Sequence, residues 1–413
     1  MSAYGMKKYF IILIVLTLSQ HAFCSNRCLL VADTGKSYGV VIHRAFNSAG
    51  PEYKTTLYKT RFAKGIPADF VNPGGWKKSK GGITSASTGL KNYLMLNREY
   101  GIDKRKASVT VKLGKDTKFN FFTLEIENTP IWGTMVQADV KNGTFNIYGP
   151  YHSDSASYPQ IHINHPYRFV AGRTYTIEMM RENFANKFII IDQLTGLGDT
   201  TIDASDKTSG LMRDGFAIAI RSGEPPVVSC FKVSTSYKPG MHMLFIGDSI
   251  TEGLHMAPDS VNADYEKIAL SKHLRVAISG RSGGRAEGVQ NRVLSEITIL
   301  KPKYVSILIG TNDFNTIENL TAICSSIKKS GSIPILNNIP WKFTGTVVKD
   351  NEIIATVRKN LGINGAAFDI ATSVDYHNTN QDKSLFLDGV HPNARGIQRM
   401  FLQFVKDVPE VLR

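Results

Sequence analysis

Four short blocks of this chain hold residues whose types and order suit chemistry at a serine. The first is Phe245-Ile246-Gly247-Asp248-Ser249-Ile250-Thr251-Glu252-Gly253, and the last is Asp388-Gly389-Val390-His391-Pro392-Asn393. Between them stand Ser279-Gly280-Arg281-Ser282-Gly283-Gly284-Arg285 and Gly310-Thr311-Asn312-Asp313. A serine hydroxyl is a weak nucleophile at neutral pH and needs a base within hydrogen-bond reach. His391 is the candidate base. Of the ten histidines it alone stands in such a block, and His162, His165 and His255 are expected to be surface or packing residues. Asp388, three residues earlier, could orient the imidazole and stabilise its charged form. The glycine-rich run and Asn312 offer hydrogen-bond donors for a developing oxyanion. Serine, histidine, acid and oxyanion donors together are the requirements of acyl transfer through Ser249.

Residues so far apart in sequence need a scaffold that brings their loops together. From 241 onward strand and helix alternate. Strands are expected at 242–246, 275–279, 304–309, 333–338 and 366–370. Helical spacing appears at Ile317, Leu320, Ile323, Cys324 and Ile327, and again at Ile353, Ile354, Val357 and Leu361. Gly331 and Gly362 stand where C-cap glycines belong, and a closing helix is expected over 393–408. Such alternation means parallel βαβ units, which gather loops at the carboxyl ends of their strands. The four blocks fall on those ends or just before the closing helix. The region 26–237 reads differently, with period-two alternation at Phe122, Leu124 and Ile126 and at Tyr175, Ile177 and Met179. Many short strands with polar turns predict an all-β sandwich, and the length suits a jelly roll. Tyr237-Lys238-Pro239-Gly240 separates the two patterns.

These blocks make residues 241–413 resemble the SGNH (GDSL-type) hydrolases, a family of esterases and acylhydrolases. The resemblance implies a flavodoxin-like α/β/α domain with a parallel sheet of about five strands. It implies a catalytic triad of Ser249, His391 and Asp388, with no cofactor and no metal. The oxyanion hole it implies combines the backbone N–H groups of Ser249 and Gly283 with the side-chain amide of Asn312, with Gly284 as the alternative glycine. Asp248, Gly310 and Asp313 take supporting roles. Asp388 could instead cap the closing helix, though Asn393 is the better cap.

At 413 residues two domains are expected, with a leader at 1–24, an accessory β-domain at 25–237 and a catalytic domain at 241–413. Lys7 and Lys8, an apolar stretch over 9–18 and Ala22-Phe23-Cys24 form an export-signal pattern, with a lipid anchor at Cys24 the less favoured variant. A periplasmic or extracellular location follows as an expectation. Cys28 and Cys230 could pair to tie the ends of the first domain, or stay as buried thiols. Residues 1–240 hold 30 Lys and Arg against 18 Asp and Glu, whereas the remainder holds 19 against 17. The basic half could attract an acidic polysaccharide, although Lys77-Lys78-Ser79-Lys80 and Lys104-Arg105-Lys106 also suit solvated loops. Trp76, Trp132, Tyr148, Tyr151 and Tyr158 could stack on sugars or fill a core. The leading expectation is a secreted serine esterase acting on O-acyl, chiefly O-acetyl, groups of carbohydrate. One alternative is a lipase, thioesterase or lysophospholipase with a lid near 254–258 or 341–344. The other is a non-catalytic carbohydrate-binding or adhesion protein. Nucleic acid and a transmembrane segment are not expected.

Overall fold

The structure is a computed structural model. It describes residues 53–124, 132–148, 161–182, 185–203, 215–253, 274–312, 315–342, 347–374 and 381–412, with the backbone of strands Cys28–Ala32 and Tyr38–Ala45. The expected leader, Cys24, Tyr151, Tyr158, His255, Asp313, the segments 254–258 and 343–344, and the side chains of Cys28, Trp132 and His162 lie outside the described residues.

The first region holds two antiparallel sheets. In the larger, Cys28–Ala32 stands at one edge, followed by Tyr38–Ala45, Leu197–Asp203, Ala185–Asp192, Thr174–Glu182, Arg105–Lys112 and Val227–Thr235. The other runs from Ile161–Pro166 through Thr144–Tyr148, Trp132–Asp139, Lys118–Leu124 and Gly215–Ser222 to Leu94–Leu96 and Phe70–Val71. Both sheets feed one apolar cluster. Ala107, Val109 and Val111 enter it from the larger sheet, and Phe119, Phe121, Phe145 and Phe216 enter from the smaller. In strand Arg105–Lys112 the period-two pattern buries one face, as expected, whereas Lys118–Leu124 and Gly215–Ser222 are buried on both. Phe122 and Leu124, however, belong to a separate cluster with Met135 and Tyr148, while Phe119 and Phe121 fill the shared core. Trp76 and Tyr148 are buried packing residues, which leaves neither as an exposed sugar platform.

The disulfide considered between Cys28 and Cys230 does not form. Cys230 is a free thiol. Its strand, Val227–Thr235, is separated from Cys28–Ala32 by five intervening strands of the same sheet. At ~4.8 Å per strand that is several times the Cα separation a disulfide can bridge.

The second region has a parallel sheet in the order Val276–Gly280, Met243–Gly247, Tyr304–Leu308, Ile333–Leu336. Its strands are apolar on both faces because helices cover both, as parallel sheets require. Leu244 and Ile246 join Val289, Val293, Leu320, Ile323 and Ile354 on one side, from helices Ala286–Leu300, Ile317–Lys329 and Val348–Leu361. Met243 and Phe245 meet Ile397, Met400 and Phe404 of helix Ala394–Asp407 on the other. Asn393 caps that last helix by accepting from the Arg395 and Gly396 amides, so Asp388 is left for other work.

Among the described residues the sheet has four strands where about five were expected. The run 366–370 is not a strand. The chain accompanies Ile333–Leu336 only briefly, through Leu336 N–H to Asn364 O and Asn338 N–H to Ala366 O. It then turns into the short helix Phe368–Ala371, where Asn338 Nδ2 and Asn351 Nδ2 hold the Asp369 carboxylate. Among the described residues no helix is long and apolar enough to cross a membrane. If the Cys230 thiol is free, denaturation in an alkylating reagent without reductant labels Cys230; labelling that requires prior reduction contradicts the strand order.

Candidate active site

The nucleophile turn is built by close packing. Strand Met243–Gly247 ends at Gly247, where a Cβ would stand 2.1 Å from Thr251 Oγ1 and 2.4 Å from the Leu308 carbonyl. Only glycine lets the chain fold back there, and Asp248 then caps a four-residue helix, Ser249–Glu252, by accepting from Ile250 N–H at 2.9 Å. Ser249 is the first residue of that helix, so its own N–H is among the donors a helix start leaves unpaired. The sheet order reverses at this strand, which has Val276–Gly280 on one side and Tyr304–Leu308 on the other. Ser249 thus stands at the switch point, where open α/β sheets form a crevice.

His391 and Asp388 come to this point from a loop before the final helix. Ser249 Oγ lies 2.9 Å from His391 Nε2, and His391 Nδ1 lies 2.6 Å from Asp388 Oδ2. With Nδ1–H donated to the carboxylate, Nε2 is left to accept from the serine hydroxyl. The other Asp388 oxygen accepts from the amides of Val390 and His391 at 2.9 and 2.8 Å. Partial burial alone would raise the Asp388 pKa. The His391 amide and ring and the Val390 amide outweigh it and bring the carboxyl down to about 2. Asp388 is therefore an anion throughout the working range, although about half of its side chain is exposed.

The glycine loop lies against the nucleophile turn, with Arg281 N–H donated to Gly247 O at 3.1 Å. Gly283 has φ +73°, a left-handed conformation in which a Cβ is strained, with open space where that Cβ would stand. The neighbouring Gly284 N–H is spent on the Arg281 carbonyl at 3.0 Å. Gly283 is thus the better placed of the two glycines to offer a backbone donor. Asn312 follows Tyr304–Leu308 and gives one amide N–H to Gly284 O at 3.0 Å, tying the third block to the second. Gly310 starts that turn at φ +120°.

Asp248 is fully buried and its carboxyl is pushed up to about 6, chiefly by desolvation. The Ile250 amide and the Thr311 hydroxyl and amide pull in the opposite direction. Sequence reasoning gave Asp248 a supporting role but missed the buried ion pairs beside the nucleophile helix and the glycine loop. Glu252 accepts from the Ser282 amide and pairs with Arg181, and Arg281 pairs with Glu99. Glu252 and Arg281 lie inside the recognised blocks, but Arg181 and Glu99 carry no local signal.

The raised Asp248 carboxyl makes a prediction about stability. Between its unfolded value of 3.8 and about 6 the folded state holds a proton that the unfolded state has lost. Stability therefore falls as pH rises through that window, by about 3 kcal/mol in total. Asp248→Asn keeps the cap and lacks the titration. The stability of wild type minus that of the variant, from denaturant unfolding at pH 4 to 7, should decline through the window and then level off. A difference that is flat with pH contradicts the assignment.

Comparison with known proteins reaches the same part of the chain. Residues 245–399 match the GDSL-like Lipase/Acylhydrolase family, and all the candidate site residues lie within them. A search of curated proteins found no match. Among solved structures, one similar chain is a GDSL-like lipase from Bacteroides thetaiotaomicron, at 20% identity and TM-score 0.34, covering 40% of this chain and 85% of that one. Another is a catalytic mutant of an acetylxylan esterase from Geobacillus stearothermophilus, at 18% identity and TM-score 0.35, covering 41% and 94%. Likenesses this distant leave the functional case with the residues themselves. Residues 245–399 form a domain of the GDSL-like lipase/acylhydrolase type.

Proposed function

We propose that this protein is a serine esterase whose nucleophile is Ser249, with His391 as base and Asp388 as its partner. The observation that carries the reading is the unbroken chain Ser249 Oγ, His391 Nε2, His391 Nδ1 and Asp388 Oδ2, with links of 2.9 and 2.6 Å. In the first step Ser249 Oγ attacks the ester carbonyl carbon while its proton passes to His391 Nε2. The charge that appears on the carbonyl oxygen is met by the amides of Ser249 and Gly283 and the remaining N–H of Asn312. The C–O bond to the alcohol then breaks, His391 returns the proton to that oxygen, and an acyl-serine remains. Water, deprotonated by His391, releases the carboxylic acid and restores Ser249. Each oxyanion donor of this kind is typically worth about 3 kcal/mol of barrier. Asp248 supports its turn and takes no part in proton transfer. The mechanism needs no metal or cofactor.

The substrate class we infer is O-acylated carbohydrate, chiefly O-acetyl esters, on an exported protein with a leader at 1–24. The first region serves as an accessory sandwich at 25–237 beside the catalytic domain at 241–413. Its charge supports a polymeric, acidic partner. Lys59 and Lys232 stand directly opposite on paired strands, and burial together with Lys106 and Lys59 lowers the Lys232 pKa. A polyanion would relieve that repulsion. The lipase alternative gains nothing from Trp341, which is packed in the core instead of forming a lid.

Ser249→Ala should lower kcat on p-nitrophenyl acetate by about a thousandfold or more while leaving the unfolding midpoint nearly unchanged. Across p-nitrophenyl esters from acetate to palmitate the specificity constant should be highest at acetate, and acetylated glycans should release acetate. A variant that keeps most of its activity contradicts the nucleophile, and a preference for long chains favours the lipase reading.

A further inference from the structure

The two regions meet around the candidate site through buried charge. Arg181, on strand Thr174–Glu182 of the β-rich region, places Nη1 2.7 Å from Glu252 Oε1, with both side chains less than a tenth exposed. Glu252 is the last residue of the helix that begins at Ser249, and its other oxygen accepts from the Ser282 amide. One carboxylate thus binds the nucleophile helix to the residue before Gly283. On the other flank of that loop, Arg281 Nη1 lies 3.2 Å from Glu99 Oε2, with side chains 3% and 2% exposed. Arg281 also donates its own N–H to Gly247 O at 3.1 Å, just before the nucleophile turn.

The chain beside Glu99 runs on into the catalytic sheet. Ile102 bridges to Ser279, and Asp103 N–H reaches Ile278 O at 3.0 Å, so residues 102–103 extend the sheet at the strand that feeds the glycine loop. Glu296 Oε1, on helix Ala286–Leu300, accepts from the Gly101 and Ile102 amides at 2.7 and 3.2 Å. Buried ion pairs add little net stability against an apolar replacement, yet losing one partner strands a charge, so their geometric effect is the stronger reason to look for a role. Here each pair joins one residue of the β-rich region to one residue touching or bordering the loop of Gly283.

We propose that Arg181 and Glu99 are positioning residues for the esterase reaction. They hold the 281–284 loop so that the Gly283 amide meets the oxyanion, which makes the β-rich region part of the catalytic apparatus as well as an accessory to it. This rests on the reading of Ser249 and Gly283 given above. A donor displaced by about 1 Å can cost up to a hundredfold in rate, with little effect on ground-state binding.

The test uses the full chain. R181M/E252Q removes both charges of one pair together, and R281M/E99Q removes both of the second, which avoids a stranded ion in either. Each is assayed on p-nitrophenyl acetate with kcat divided by the burst amplitude, which counts competent sites. A merely structural role lowers the burst amplitude and leaves kcat per site unchanged. The proposal predicts kcat per site lower by about fivefold or more with KM nearly unchanged. Any smaller change in a folded variant overturns it, and R281M/E99Q decides alone if R181M/E252Q does not fold. Ser249→Ala run in parallel separates the two ideas. If it stays active the esterase reading fails, whereas an inactive Ser249→Ala beside unaffected clamp variants means only the positioning proposal fails.

Discussion

The hydrogen bond between Ser249 Oγ and His391 Nε2 closes 142 residues of chain into one site. Much of the second region can be understood as what holds its two ends at 2.9 Å. One end is fixed from below, because Gly247 admits the close turn and Asp248 caps the helix on which Ser249 sits. The other is fixed from within its own loop. There Asp388 takes two backbone N–H groups with one oxygen and the imidazole with the other, and Asn393 starts the final helix immediately afterwards. The parallel sheet supplies what neither loop can, a common edge on which strand ends separated by dozens of residues become neighbours.

The charges around this bond are arranged so that one carboxylate is easier to ionise than usual and a nearby one is harder. Asp388 is stabilised as an anion by donors that point at it. Asp248, one residue from the nucleophile, is buried and its carboxyl is pushed up to about 6. Environment, not residue type, divides the two acids between orienting a histidine and supporting a turn. The buried Arg181–Glu252 and Arg281–Glu99 pairs extend the same logic outward to the β-rich region.

Sequence alone locates the second region well for a physical reason. Its strands are continuous apolar runs and its helices carry a 3.6-residue period, and the site residues sit where one ends and the next begins. The fifth strand was misread because 366–370 is apolar enough for a strand, yet only 364 and 366 supply ladder carbonyls before the Asp369 hydrogen bonds favour a helical turn. In the first region the alternation was visible, but not which face was inner. Phe119 and Phe121 took the shared core while Phe122 and Leu124 packed on the other side. The pairing of Arg181 with Glu252 was illegible, since two charged residues 71 positions apart advertise nothing until the fold buries them together.

The central claim is that Ser249 forms a covalent acyl intermediate with help from His391. It is tested most directly by quenching the enzyme during turnover of p-nitrophenyl acetate and mapping the acetylated peptide by mass spectrometry. The account predicts a single acetyl group on Ser249, absent in Ser249→Ala and strongly reduced in His391→Ala. Acetylation at another residue, or full turnover with no acyl-enzyme and no burst, would contradict it.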